Sequence, residues 1–173
     1  MVRDIKEYDY GIVEGKTDSL KWGNNISLMC DTKEQFPYAE KCLSYLDTMP
    51  KEMENRLIQY LLRYLKDYIC DFPEEEQEEL RLINEENIIE HIHITSVIVD
   101  AECREEIIEF HIEGECDWEP EHGLEITISD GKILYVGPYN DYGPNSSRMR
   151  YALENYGYYN PNSDFNMNYA DKE

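Results

Sequence analysis

HGLEITISDGKILYVGP, residues 122–138, alternates apolar and polar side chains on both sides of a two-residue turn. In its first half, leucine and isoleucine alternate with Glu125 and Thr127, a pattern typical of a strand with one buried face. Asp130-Gly131 is a strong signal for a tight β-hairpin, and it leads directly into the apolar run ILYV. The stretch therefore predicts two adjacent antiparallel strands.

The two segments before this hairpin show the same alternation. HIHITSVIVD, residues 91–100, and EEIIEFHIEGE, residues 105–115, place isoleucines on one face and histidines or acids on the other. Because successive side chains of a strand point to opposite sides, His91, His93 and His111 are expected on the solvated face. Two weaker strand candidates, YDYGIVEG and NISLMCD, lie near the N-terminus. The chain therefore predicts an antiparallel meander of about four to six strands.

Helical periodicity marks four segments between and after the strand candidates. From Lys51 to Ile69, apolar and aromatic side chains recur every three or four residues, which predicts a helix buried along one side. FPYAEKCLSYLDTM (residues 36–49), DFPEEEQEELRLI (residues 71–83) and NSSRMRYALENYG (residues 145–157) predict shorter helices. The expected fold class is α+β, with two to four helices packed on one face of the meander.

The run EEEQEEL after Pro73 concentrates negative charge on one short helix. Asp71 and Glu74 have the spacing of a capping box around Pro73, and acidic residues suit the positive end of a helix dipole. This run is our hypothesis for a partner-binding face, made of Glu74, Glu75, Glu76, Glu78 and Glu79.

A length of 173 residues fits one domain, which buries enough surface for a core without a metal or disulfides. We assign residues 1–157 to a single α+β domain. Residues 158–173, rich in tyrosine and asparagine, have no periodicity and predict a flexible tail.

The five cysteines are an odd number without C-x-x-C spacing, which argues against a disulfide framework and a zinc ribbon. We expect reduced thiols and no cofactor. The first residues show no signal-peptide pattern, and no apolar run reaches the length that spans a bilayer. These features predict a soluble cytoplasmic protein.

The charge limits the classes of partner. Sixteen Lys and Arg against 38 Asp and Glu give a formal net charge of −22. Nucleic acids and anionic membranes are disfavoured, because both are bound mainly through basic residues. An acidic surface instead attracts a basic protein, such as a toxin or a nuclease.

GECDWEPEHGLEIT, residues 114–127, is the one segment dense in reactive side chains. We interpret it mainly as a turn between two strands, in which Trp118 covers the core and Gly123 supplies a special backbone shape. The alternative is a reactive or metal-binding site, either a Cys116–His122 dyad or a metal cluster that also recruits the sheet-face histidines. The sequence assigns no catalytic residue, and the histidines are only weak metal candidates.

Cys116-x-Trp118-x-x-Glu121-His122-Gly123-Leu124, followed by DGK and ILYVG, resembles the C-terminal signature of a family of uncharacterised bacterial domains of unknown function. The resemblance implies a small α+β protein of the bacterial cytoplasm. It also implies, more loosely, an association with immunity proteins that neutralise toxins. It transfers no catalytic residues.

The function expected from these observations is that of a non-catalytic protein-binding module, such as an immunity-type inhibitor with an acidic surface. One alternative is a metal-dependent hydrolase or another enzyme that uses Cys116 and His122, or the histidines of the sheet face. A further alternative is a structural or scaffold subunit that assembles through its Tyr-rich C-terminal region.

Overall fold

The computed structural model of the chain describes residues 1–69, 72–163 and 165–172. Seven strands form one sheet: β1 (Arg3–Glu7), β2 (Val13–Ser19), β3 (Gly23–Cys30), β4 (Ile92–Val99), β5 (Glu109–Cys116), β6 (Leu124–Ser129) and β7 (Lys132–Gly137). The α-helices are α1 (Phe36–Asp47), α2 (Lys51–Tyr68), α3 (Glu74–Leu80) and α4 (Ser147–Asn155). Short 3-10 helices occupy Lys33–Gln35 and Ile88–His91.

The strands follow one another across the sheet in chain order, and all neighbours are antiparallel except the parallel pair β3 and β4. A parallel pair needs a long crossover, and the segment containing α1, α2 and α3 supplies it. The predicted α+β class is confirmed, with seven strands instead of four to six. The strand without a candidate is β1, whose residues RDIKE are mostly exposed and charged. The candidate YDYGIVEG overlaps only the start of β2, because the inward positions after Val13 are Gly15, Thr17 and Ser19, which show no apolar alternation.

The first face of the sheet carries the main core. Helix α1 packs on β2 to β5, and α2 packs on β7. Leu57, Leu61 and Tyr64 of α2 are fully buried, as the periodicity predicts. Helix α3 begins after Pro73, whose carbonyl accepts a hydrogen bond from the backbone N–H of Gln77 at 3.0 Å. Asp71, the predicted capping residue, and Cys70 lie outside the described residues.

The second face is covered over β6 and β7 instead of being fully solvated. Tyr135 of β7 packs in a separate small cluster with Tyr142, Met149 and Ala152, so α4 lies on the side opposite to α2. The hydroxyl of Thr127 donates a hydrogen bond to the carbonyl of Tyr142 at 2.8 Å. The expectation of helices on one face therefore applies to α1, α2 and α3, whereas α4 and the segment before it cover the other face.

The C-terminal segment packs against the edge of β7, where the composition predicts a flexible tail. Tyr169 and Ala170 are buried, and the backbone N–H of Tyr169 donates to the carbonyl of Val136 at 2.9 Å. The side chain of Asn168 accepts from the N–H of Val136 and donates to the carbonyl of Leu134. An asparagine thus takes the place of a strand partner, and aromatic packing holds the segment, which a search for periodicity does not detect. Asp164 and Glu173 lie outside the described residues.

None of the helices in the described part of the chain is long and apolar enough to cross a membrane.

Leu61→Ala should lower the free energy of unfolding by about 2–5 kcal/mol, because it removes a fully buried side chain between α2 and the sheet. Leu82→Ala is the matched control, since Leu82 is 71 % exposed and its loss should cost under about 0.5 kcal/mol. Urea unfolding followed by circular dichroism measures both variants. Equal effects of the two substitutions would contradict the position of α2 in the core.

Candidate functional site

A surface groove of about 620 Å³ lies between α3 and the end of the sheet at which β4 begins and β5 ends. We call this space the groove. Its apolar part is formed by Phe72, Leu80, Ile83 and Pro120. Leu80 and Ile83 are buried, so they fix the end of α3 to the body of the protein at this place.

Helix α3 presents two acids to the groove. Glu76 and Glu79 line it and are exposed, and a spacing of three residues puts them on the same side of a helix. Glu75 and Glu78, one residue earlier, are also exposed but are not among its lining residues. The structure thus separates the predicted acidic run into residues that face the groove and residues that face solvent only.

The opposite wall of the groove comes from the β4–β5 ladder. His93 pairs with Glu115 across the two strands, and His91 lies beside Asp117 at the strand ends. Nδ1 of His91 is 2.8 Å from a carboxylate oxygen of Asp117, and the backbone N–H of Asp117 donates to the carbonyl of His91. Each groove histidine therefore stands next to an acid. Asp117 belongs to the segment that the sequence marks as a possible site. Glu115 was not predicted, although strand alternation puts it on the face of His93.

Cys116 and His122 make separate hydrogen bonds and do not form the predicted alternative dyad. The thiol of Cys116 points to the carbonyls of Gly123 and Glu119, at 3.7 Å and 4.0 Å. Burial raises the pKa of the Cys116 thiol to about 12, so the thiol is protonated at neutral pH. Nδ1 of His122 is 3.1 Å from a carboxylate oxygen of Glu119. This arrangement leaves the imidazole without a thiol to activate.

Glu119 organises the turn between β5 and β6. Its carboxylate is buried and accepts hydrogen bonds from the backbone N–H groups of Glu121 and His122, at 3.2 Å and 2.7 Å. The backbone of Gly123 has a φ of +64°, and an added Cβ would lie 2.5 Å from the carbonyl oxygen of Gly114. A glycine is therefore required at this position. Glu119 lies in the segment that the sequence marks as a turn or a possible site, but its role as the acceptor that holds the turn was not predicted, because an acid among several acids carries no distinguishing pattern.

Trp118 lies beneath this turn and is fully buried. Its ring meets the ring of Tyr64 edge to face, with 5.9 Å between the centroids. The hydroxyl of Tyr64 donates to the carbonyl of Gly123 at 2.8 Å. These contacts connect α2 to the turn, so the residues of the C-x-W-x-x-E-H-G-L motif hold one wall of the groove in place.

His111 lies away from the groove histidines. Its partner on β4 is Ile98, whereas His93 pairs with Glu115. The two backbone positions on β5 are four residues apart, which corresponds to about 13 Å along the strand. Over the part of the chain that the structure describes, no group of three or more His, Cys, Asp or Glu side chains is arranged to hold a metal ion. His91, His93 and His111 are thus not brought together.

His111 belongs instead to a buried polar cluster on the second face. Its Nδ1 is 2.8 Å from a carboxylate oxygen of Glu125, and both side chains are inaccessible to solvent. The carboxylate of Glu125 also accepts from the backbone N–H groups of Asn140 and Tyr142. The cluster therefore anchors the segment after β7 to the sheet. The alternation places both residues on this face correctly, but the expectation that His111 is solvated is wrong, because the segment after β7 covers it.

Glu109 is a second buried carboxylate on this face. Burial opposes its ionisation, but hydrogen bonds from Arg104, Ser129 and Asn145 outweigh that effect and lower the pKa of Glu109 to about 2. The guanidinium of Arg104 and the backbone N–H of Arg104 both donate to this carboxylate. Glu109 is therefore ionised, and its hydrogen bonds link the loop before β5, strand β6 and the segment before α4.

Together, the fold and the groove define an α+β protein with one acidic, partly apolar groove at the end of its sheet. The chain belongs to the family described as Domain of unknown function (DUF6985), whose model matches residues 2–143. The match includes the seven strands, α1, α2 and α3, and it ends before α4. No curated protein and no solved structure matches the chain.

Iodoacetamide should leave Cys116 unmodified in the folded protein at pH 7.5, because its thiol is buried and protonated. The same thiol should react once urea unfolds the chain. Mass spectrometry of the digested protein distinguishes the two states. Rapid modification of Cys116 in the folded protein would revive the nucleophile hypothesis.

Glu109→Gln should reduce the dependence of stability on pH. The folded pKa of Glu109, about 2, lies below its ordinary value of 4.5, so its contribution is present above pH 4.5 and is lost as the pH falls towards 2. The two proteins should differ in free energy of unfolding by roughly 3 kcal/mol at pH 7 and by less at pH 3. Urea titrations of both at these two pH values measure the difference. A difference that does not change with pH would contradict the role of the ionised carboxylate.

Proposed function

We propose that this chain is a non-catalytic protein-binding module, of the immunity-inhibitor type, which binds a basic protein such as a toxin or a nuclease. The binding surface is an acidic face, which we define as the exposed acids of α3 and of the adjacent end of β5. It consists of Glu74, Glu75, Glu76, Glu78, Glu79, Glu115 and Asp117.

The observation that carries this proposal is the composition of the groove at the centre of the acidic face. Glu76, Glu79, Glu115 and Asp117 are exposed at its walls, and no lysine or arginine occurs among its described lining residues. Apolar side chains line the same groove. Protein interfaces commonly combine apolar residues with a polar, solvent-accessible rim.

The net charge favours the same class of partner. A formal charge of −22 produces a negative field that accelerates the approach of a basic protein at low ionic strength. Nucleic acids and anionic membranes would be repelled by the same field. Charge therefore selects the class of partner, and the groove supplies the place of contact.

The arrangement of the reactive side chains supports binding more than catalysis. The Cys116 thiol is protonated, and the His122 imidazole is bound to a carboxylate that also holds the backbone of the turn. These groups stabilise one wall of the groove. Their hydrogen bonds within the turn account for the clustering of Cys, His and Glu in this segment without a catalytic role.

A cytoplasmic location is part of the proposal. Cys30, Cys42, Cys103 and Cys116 are all free thiols in the structure, which suits a reducing compartment. An immunity-type inhibitor acts in the compartment where the toxin would reach its target.

Replacement of all five glutamates of α3 by glutamine should slow association with the partner about tenfold at low salt and flatten its salt dependence. The partner is isolated from an extract of the native cells, purified, and measured against the chain by surface plasmon resonance from 50 to 300 mM salt. A basic protein that binds one to one and shows this change supports the proposal. Unchanged kinetics, or a partner that is not basic, would overturn it.

The matched control removes five exposed glutamates from other parts of the surface: Glu52, Glu86, Glu105, Glu106 and Glu154. Both variants change the net charge equally, so an effect of total charge alone would slow both to the same extent. Circular dichroism confirms that α3 persists, because glutamates in its first turn stabilise the helix by about 0.3–1 kcal/mol each.

A further inference from the structure

We infer that the groove recognises one lysine or arginine side chain, carried between apolar residues on an exposed segment of the partner protein. This inference rests on the proposed function and makes its contact specific. The occupant is a long cation with an apolar stem, and diffuse attraction between two charged surfaces is not sufficient.

The apolar part of the groove accounts for the stem. Leu80, Ile83 and Phe72 come from α3 and its flanks, and Pro120 comes from the turn between β5 and β6. Lysine and arginine bury their methylene groups against such surfaces while the charged end group stays near water or acids. Leu80 and Ile83 also hold α3 on the body of the protein, so the apolar surface left for a stem comes mainly from the less buried Phe72 and Pro120.

The acids account for the charged end group because they come from two sides. Glu76 and Glu79 stand on α3, and Glu115 and Asp117 stand on the strand end across the groove. A cation between the two walls meets carboxylates of both. A guanidinium can bind carboxylates in a bidentate manner, and an ammonium can donate three hydrogen bonds.

The sheet wall is held in a fixed position, whereas the ends of the α3 glutamates are free to adjust. Two contacts with His91 hold Asp117. Nδ1 of His91 lies next to the carboxylate of Asp117, and the backbone N–H of Asp117 donates to the carbonyl of His91. The nearby Glu119 carboxylate is already bound by backbone N–H groups, so it contributes charge but few free acceptor sites. Pre-organised acceptors on one wall lower the entropy lost when a side chain binds.

The test uses short acetylated peptides with the order Gly-Leu-X-Leu-Gly, in which X is arginine, lysine or citrulline. Citrulline has the shape of arginine without its charge. Titration into isotopically labelled protein, followed by NMR, gives affinity and position together. The arginine and lysine peptides should shift the backbone signals of α3 and of residues 115–120, and the citrulline peptide should bind at least about tenfold more weakly.

Matched variants of the same helix locate the peptide. E76Q/E79Q removes the two acids that line the groove, and E75Q/E78Q removes two that do not, with the same change of charge. The first variant should weaken the arginine peptide roughly tenfold, and the second by less than about twofold. A peptide whose leucines are replaced by serine should also lose affinity, because it no longer has apolar side chains to bury against the apolar part of the groove.

Equal binding of the citrulline and arginine peptides would overturn the inference, as would equal weakening by the two variants. In either case the proposed function stands if the intact partner still associates more slowly with the variant that lacks all five glutamates of α3. Conversely, peptide binding in the groove together with unchanged partner kinetics would reject the proposed function. The peptide titration therefore tests recognition of a lysine or arginine in the groove, and the partner kinetics test the proposed function separately.

Discussion

Tyr64 is the side chain on which three parts of the structure depend. It sits fully buried on α2, its hydroxyl donates to the carbonyl of Gly123, and its ring meets Trp118 edge to face. On another side the ring stacks on Tyr169, with 5.0 Å between the centroids. One residue thus connects the central helix, the turn that forms a wall of the groove, and the C-terminal segment that closes the edge of β7. Buried aromatic pairs of this kind have preferred ring geometries, and they stabilise the fold by more than the area that they bury.

The buried carboxylates are the second constraint in this chain of net charge −22. Glu109, Glu119 and Glu125 are buried, and each accepts hydrogen bonds from backbone N–H groups of a turn or a loop. A buried acid is tolerated only when such donors replace water. These three residues therefore serve as anchors for irregular segments that have no regular strand or helix to satisfy their backbone.

The sequence predicted the parts of the fold in which side-chain pattern and burial agree. The periodicity of α2 and the alternation of β5, β6 and β7 identify the core and its neighbours in the sheet, and the Asp130-Gly131 turn sets the last hairpin. Strand β1 had no candidate, because its residues are mostly exposed and charged. The candidate YDYGIVEG reached only the first residues of β2, because small residues without apolar alternation face the core after Val13. For the site, the sequence supplied His91, His93 and the acids of α3 as separate candidates. It could not show that α3 packs beside the β4–β5 end, since that depends on tertiary contacts of Leu80 and Ile83.

The net charge includes two kinds of acid with different roles: buried carboxylates that accept backbone N–H groups, and exposed carboxylates at the groove. A carboxylate that already accepts several backbone N–H bonds, as Glu119 does, has little capacity left for a ligand. Exposed acids at the groove, such as Glu76 and Glu79, keep that capacity and lie beside apolar side chains. Overall charge can bring many basic proteins near the surface, because it acts over a distance of about 8–10 Å in salt solution. Under the proposed function, selectivity among these proteins comes from the few exposed acids that line the groove.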